Sequence, residues 1–332
     1  MKPMIRSMSL ILVTVVFLFQ MISPAQTLKY KIVKTIPVGG ETRWDLLAVD
    51  ETYNRLFVSH SSSVEVLNIS TDSLIDKIKN LEGVHDIAFA PKLNKGFISN
   101  GRDSSVTVFN LKTLKISDKI LVTGQNPDAI LYDPFSNNLF TMNGRADNST
   151  AIDAGSDKVI GTIKLDGKPE FAVSDSKGKV FVNIEDKNEI QEFDPVSLKI
   201  LNTWVIAPGA GPTGLAIDIK NNRLFSACGN KLMIVLDSKS GKIINSLPIE
   251  AHVDACAFDA DDNIVFSSNG EGSITIIKEN SPDNFIVTGN IITEKGARTM
   301  AFDNKTKKIY TDAAVLKEDS TKIFSVLVLD KR

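Results

Sequence analysis

Cysteine is nearly missing from this sequence: two residues in 332, Cys228 and Cys256. Neither their number nor their spacing suggests a disulfide framework, and two separate thiols are expected rather than a bridge. There is no Cys-x-x-Cys-His for covalent haem and no glycine-rich nucleotide loop, so redox chemistry would need a noncovalent cofactor. No His-Glu-x-x-His fixes metal ligands at a known local spacing. Charge of neither sign forms a block: 38 Lys and Arg face 40 Asp and Glu, for a formal net charge of −2. That balance excludes the electrostatic footprint of a protein built for duplex nucleic acid or an anionic membrane surface. Aromatics make up 7%, which leaves a stacking platform for single-stranded nucleic acid unsupported.

Long apolar runs are also absent. The run from Leu10 to Ile22 falls short of the ~20 residues a membrane-spanning helix needs. It follows Lys2 and Arg6 and precedes Ser23-Pro24-Ala25, the layout of a cleaved secretory signal. The expectation is a signal peptide over 1–25, an exported mature protein beginning at Gln26 in the periplasm or outside the cell, and no membrane insertion after cleavage. No cysteine lies near the cut to carry a lipid. Residues 1–25 hold two basic and no acidic side chains, which takes the net charge to −4.

What the sequence does have is a beat. An aromatic recurs in seven short apolar segments: Phe57, Phe97, Phe140, Phe181, Phe225, Phe266 and Tyr310, spaced 40 to 44 residues apart. Before each comes an alternating strand pattern (Leu47 and Val49, Ile87 and Phe89, Ile130 and Tyr132, Leu215 and Ile217), then a turn rich in Asn, Lys, Asp and Gly. After it comes a third apolar strand, mostly closing on Asn68, Asn110, Asp153, Asp194, Asp237 or Asp330, and then a fourth, as in Lys158 to Ile163. Four short antiparallel strands fill one period, which is one propeller blade. No segment after residue 25 shows a sustained helical stripe. The spacing predicts an all-β, seven-bladed propeller over residues 26–332 as a single domain. Residues 31–38 read as a fourth strand with no three before it, and the last repeat has only three, so the N-terminal strand should complete the last blade.

Residues 34–40, 125–134, 168–175, 212–218 and 296–303 (Lys-Pro-Glu-Phe-Ala-Val-Ser-Asp and Pro-Thr-Gly-Leu-Ala-Ile-Asp among them) resemble the YVTN-type, YncE-like β-propeller repeat family. The likeness runs along essentially the whole chain after residue 25. The literal Tyr-Val-Thr-Asn is replaced by Phe-Val-Ser-His60, Phe-Ile-Ser-Asn100 and Phe-Thr-Met-Asn143. The resemblance implies the propeller fold; the family is functionally mixed. The Trp-Asp of WD40 blades is not at the ends of the third strands, and Trp44-Asp45 lies in a first strand.

In such a blade the start of the first strand and the end of the second lie on one face of the disc. Twelve residues before the anchors stand Asp45, His85, Asp128, Pro169, Thr213, Asp254 and Arg298, with Trp44, Asp86 and Glu170 beside them. Three residues after the anchors stand His60, Asn100, Asn143, Ile184, Cys228, Asn269 and Ala313, with Asn183 one place earlier. Arg102, Arg145, Glu185 and Glu271 follow the second column in turns. Residues 314–321 form a longer connection, expected to overhang this face.

Polar residues at strand ends are also ordinary turn chemistry, and the ring as a whole carries the functional reading. The leading expectation is a binding or interaction module whose ligand-binding residues are Trp44, Asp45, His60, His85, Asn100, Arg102, Asp128, Asn143, Arg145, Glu170, Asn183, Asp254, Asn269 and Arg298. Its partner would be a small polar molecule, a glycan, a peptide or an envelope protein, with the chain itself a monomer. The alternative is a metal-assisted hydrolase or lyase of the lactonase kind. In it Asp45, Asp128, Asp254 and the asparagines would give Ca²⁺ or Mg²⁺ an oxygen shell, with His60 or His85 as base. No complete catalytic signature is present, which favours binding over catalysis.

Overall fold

Every repeat aromatic lies inside a strand, with at most 1% of its surface exposed. The computed structural model describes residues 30–40, 43–317 and 319–331. The segment read as a signal peptide lies outside the described residues. Among the described residues twenty-eight strands form seven four-stranded antiparallel sheets, six of them with their strands in sequence order from the inside outward. Blade 1 shows the pattern: Leu47–Asp50, Arg55–His60, Ser63–Asn68 and Ser73–Ile78.

Local chemistry explains why the chain turns where it does. Three residues before each aromatic the backbone enters the left-handed region, with asparagine there in five blades: Asn54, Asn94, Asn137, Asn222 and Asn263. Gly178 and Lys307 take that position in the other two. Asparagine tolerates positive φ because its short amide can bond locally. The Asn or Asp closing the third strand of blades 1 to 5 caps the next turn, as when Asn68 Oδ1 accepts from the Thr71 amide at 2.9 Å. The polar ends that marked the strands are therefore hairpin caps.

The apolar core is divided into seven clusters, each lying between two adjacent blades. Phe57, Ile98 and Phe109 join blades 1 and 2, for example, and Phe140, Val182 and Phe193 join blades 3 and 4. Polar links add to this nearer the axis. Two residues after the aromatic, Ser59 donates to the His85 carbonyl at 2.7 Å, Ser99 to Asp128 O at 2.6 Å, and Asn183 to Thr213 O at 2.8 Å. Ser268 reaches Ala297 O at 3.1 Å. Each link runs from the second strand of one blade to the innermost backbone of the next. Between blades 5 and 6, where Ala227 has nothing to donate, Thr213 bonds Val253 O instead, at 3.1 Å.

The last blade is composite. Strand β1 (Tyr30–Pro37) pairs with β28 (Lys322–Lys331), which pairs with β27 (Ile309–Leu316), and β27 with β26 (Met300–Phe302). Tyr30 stands opposite Lys331 and Pro37 opposite Ser325. The ring is closed by the N-terminal strand, as the unmatched repeat ends require. The connection expected to overhang as a loop begins as strand: Ala314, Val315 and Leu316 pair with Phe324, Ile323 and Lys322. Cys228 and Cys256 are free thiols.

Candidate functional site

The first strands meet at the axis, so a side chain just ahead of such a strand faces its counterparts across the opening. The structure brings Asp45, Asp128, Glu170, Asp254 and Arg298 from five blades to a cavity of about 230 Å³, joined by Lys168, Glu185 and Thr213. His85 bridges the acids beside it: its Nδ1 is 2.6 Å from Asp45 Oδ2 and 3.5 Å from Asp128 Oδ1. Arg298 Nε lies 2.8 Å from Asp254 Oδ2. Lys168 Nζ lies 2.6 Å from Glu170 and also bonds Glu185. Asp86, one place further along, is held differently, accepting from the Ile87 and Ile130 amides at 2.7 and 3.0 Å across the blade 2–blade 3 seam.

Crowded carboxylates taken out of water resist ionising together. Burial, aided by the charge of Asp128, pushes Glu170 up to about 8 despite Lys168. Burial lifts Asp254 to about 7 against the pull of Arg298, and Asp86 to about 7 against its two amide donors. Asp128 is raised as well, chiefly by burial. For His85 burial works against the charge, but the bond to Asp45 and the fields of Asp128 and Asp45 outweigh it and lift the imidazole to about 8. The axis therefore stores protons near neutral pH.

A second recess, about 380 Å³, opens beside the first and shares Asp45 as a wall. Trp44, His85, Arg102 and Arg145 line it together with Arg43 and Asn126. The indole of Trp44 is fixed from behind by Phe324, stacked at 5.4 Å and 20°.

Seven sheets in one ring, with their innermost ends converging on these recesses, set the terms for comparison with known proteins. The chain is similar to YncE of Salmonella typhimurium, 24% identical over 201 residues that make up 56% of this chain and 54% of that protein. It is also similar to antigen Lp49 of Leptospira interrogans, 22% identical over 238 residues, 67% of this chain and 50% of that one. The chain is a YncE-like β-propeller. No family model matches it. A chain in the crystal structure of the mitotic checkpoint complex superposes with a TM-score of 0.77 over 95% of this chain and 99% of that one, at 13% identity, which is a likeness of fold. The chain spans about half the length of the curated relatives it matches.

In this YncE-like ring the second expected column turns away from the axis. Asn100, Asn143, Asn183 and Asn269 are at most 1% exposed. Asn100 donates to Thr107 at 2.9 Å, Asn143 to Asn148 at 2.7 Å and Asn269 to Thr275 at 3.0 Å, all in the neighbouring third strand. Asn183 is the inter-blade link described above. His60 is buried too, with Nδ1 3.0 Å from Glu65 and its ring against Phe324 at 4.5 Å. A side chain at the end of a second strand lies one strand out from the axis, so it packs within the blade. The oxygen shell imagined for Ca²⁺ or Mg²⁺ thus lacks its asparagines, and Asp254 is engaged by Arg298. The Asp45, His85 and Asp128 ligand atoms do lie within 4.8 Å of one another. The His85 imidazole, whose pKa is lifted to about 8, stands between the two acids and acts as their counter-charge wherever it is protonated. Lys168 and Arg43 were missed because both lie outside the column counted from the aromatics, one and two places upstream of it.

Proposed function

We propose that this chain is an exported binding protein whose axial cavity takes a small polar ligand through a positively charged group. One observation carries the reading: acids from four blades (Asp45, Asp128, Glu170, Asp254) face one opening in which Lys168 and Arg298 are the lining cations. Because this excess of carboxylate is held partly protonated, an incoming cation would be met by acids ready to release protons to water. Asp254 and Glu170 favour the cation once ionised, and His85 ceases to compete once neutral. All three changes occur as pH rises through about 7 to 8, so affinity for a cation should climb from pH 6 to pH 9 with net proton release.

The test is thermal denaturation with a series of alkylamines and diamines, repeated on D128N and E170Q, with calorimetry in buffers of different ionisation enthalpy. Stabilisation that grows with pH and is weakened by both substitutions is the expected result. Absence of any amine effect, or an effect indifferent to both variants, would overturn it. The proposed address is checked by intact mass of the protein recovered from its native host: a chain beginning at Gln26 is expected, and an uncleaved Met1 terminus refutes it.

A further inference from the structure

The charges on the axial face are sorted. On one side of Asp45 lie Asp128, Glu170 and Asp254; on the other, Arg43, Arg102 and Arg145 reach into the neighbouring recess from blades 1, 2 and 3. Among the described residues, Arg43 and Arg145 have no carboxylate within ion-pair distance, and Arg102 has only Glu82, 3.7 Å away and half exposed. Three guanidiniums lining one recess, with a single half-exposed carboxylate 3.7 Å from one of them, repel, and a recess of about 380 Å³ is where an anion relieves that repulsion.

The backbone beneath is shaped for close approach. A Cβ at Gly101 would lie 2.4 Å from His85 Nε2 and 2.8 Å from Asn126 Oδ1, so only glycine lets these groups lie against the chain there. Gly83 is at φ +71, and a Cβ on it would press on Arg102 at 3.2 Å. The repeated Asn-Gly-Arg of residues 100–102 and 143–145 thus has a division of labour in its first copy. Asparagine locks the blade, glycine admits the neighbours, and arginine faces the recess.

We propose that the arginine recess is an anion subsite, and that it and the acidic axis hold the two poles of one zwitterionic small molecule, a carboxylate at Arg102 and Arg145 and an ammonium at Asp128 and Glu170. The proposal rests on the axial cavity being the binding site for a cationic group, and adds to it the second pole. Asp45 and His85, at the junction of the two recesses, would lie against the middle of such a ligand. The carboxylate binds as the anion and the amine as the cation, and no bond is made or broken.

The probe is a series of ω-amino carboxylates from glycine to 6-aminohexanoate, scanned by thermal denaturation and titration calorimetry. Alkylamines and alkyl carboxylates of matched length serve as singly charged controls. One chain length is expected to bind best, with either control weaker by roughly ten- to hundredfold. R102Q/R145Q is expected to lower affinity for the zwitterion to that of the matched amine, leaving amine binding and the unliganded melting temperature as in wild type, since both side chains are at the surface. E170Q should do the converse. If amines bind as tightly as the zwitterions and R102Q/R145Q changes nothing, the second pole is wrong while the acidic axis stands. If carboxylates bind and amines do not, the acidic axis and the two-pole ligand both fall, and only the anion subsite stands.

Discussion

Removing residues 30–38 is expected to cost this protein its cooperative fold. Strand β1 supplies the whole outer edge of blade 7, and its Tyr30 and Ile36 are each 6% exposed. Tyr30 also packs edge-on against Phe266 of blade 6 at 5.4 Å and donates its hydroxyl to Lys307 O at 2.9 Å. Burial of such side chains stabilises by about 1.5–3 kcal/mol each, and each ladder hydrogen bond adds about 1 kcal/mol. Together these amount to a large part of the 5–15 kcal/mol by which domains are ordinarily stable. The loss also uncovers β28, whose Val326 and Val328 would sit beside an unpaired edge able to recruit another chain. A fall in melting temperature of more than about 10 °C, with oligomers in size exclusion, is the expected outcome. A synthetic peptide spanning 28–40 added in trans should restore the monomer. A truncated monomer that melts like the full chain would show that the ring closes by other means.

Asp312→Asn is expected to stabilise the protein at pH 8 by about 1–3 kcal/mol. Asp312 stands two residues after Tyr310, the position from which Ser59, Ser99, Asn183 and Ser268 donate to the next blade. A carboxylate cannot donate there. The side chain is fully buried, its Oδ1 accepts from Thr299 at 2.7 Å, and its Oδ2 has no partner among the described residues. Burial holds its acid well above the usual carboxylate range, with Asp45 adding to the effect and Thr299 and Arg298 opposing it. A pKa raised in the folded state means stability that is whole below about pH 4 and is lost as pH rises toward the folded value. Asparagine has no such titration and can donate as Asn183 does. Urea denaturation should therefore find variant and wild type alike near pH 4 and diverging upward, while D312A, which strands Thr299, is less stable throughout. Equal stability of D312N and wild type at pH 8 would refute the argument.

Much of the architecture was legible because one buried aromatic per blade is a packing necessity that recurs at the period of the sheet. Phe57 through Tyr310 fill equivalent places in every inter-blade cluster, so their spacing counted the blades and exposed the unmatched strand at residues 31–38. The acidic column was legible for a related reason: residues just ahead of an innermost strand have nowhere to face but the opening. Asn100, Asn143 and Asn269 were misplaced because a strand's last residue can point toward the axis or into its own sheet. The choice depends on whether the next strand offers a hydroxyl, as Thr107 and Thr275 do. The grouping of Arg43 with Arg102 and Arg145 depends on how blades 1 to 3 tilt against one another, which no count along the chain records.

The pairing of Tyr30 with Lys331 has an engineering corollary. Residues opposite each other in an antiparallel ladder are about 5 Å apart, so a few glycines and serines would splice these two positions without bending either strand. New termini could then be cut into any exposed hairpin between the third and fourth strands of another blade. Each permutant would carry its seam somewhere else, and comparing their unfolding rates would map which wedge of the ring lets go first.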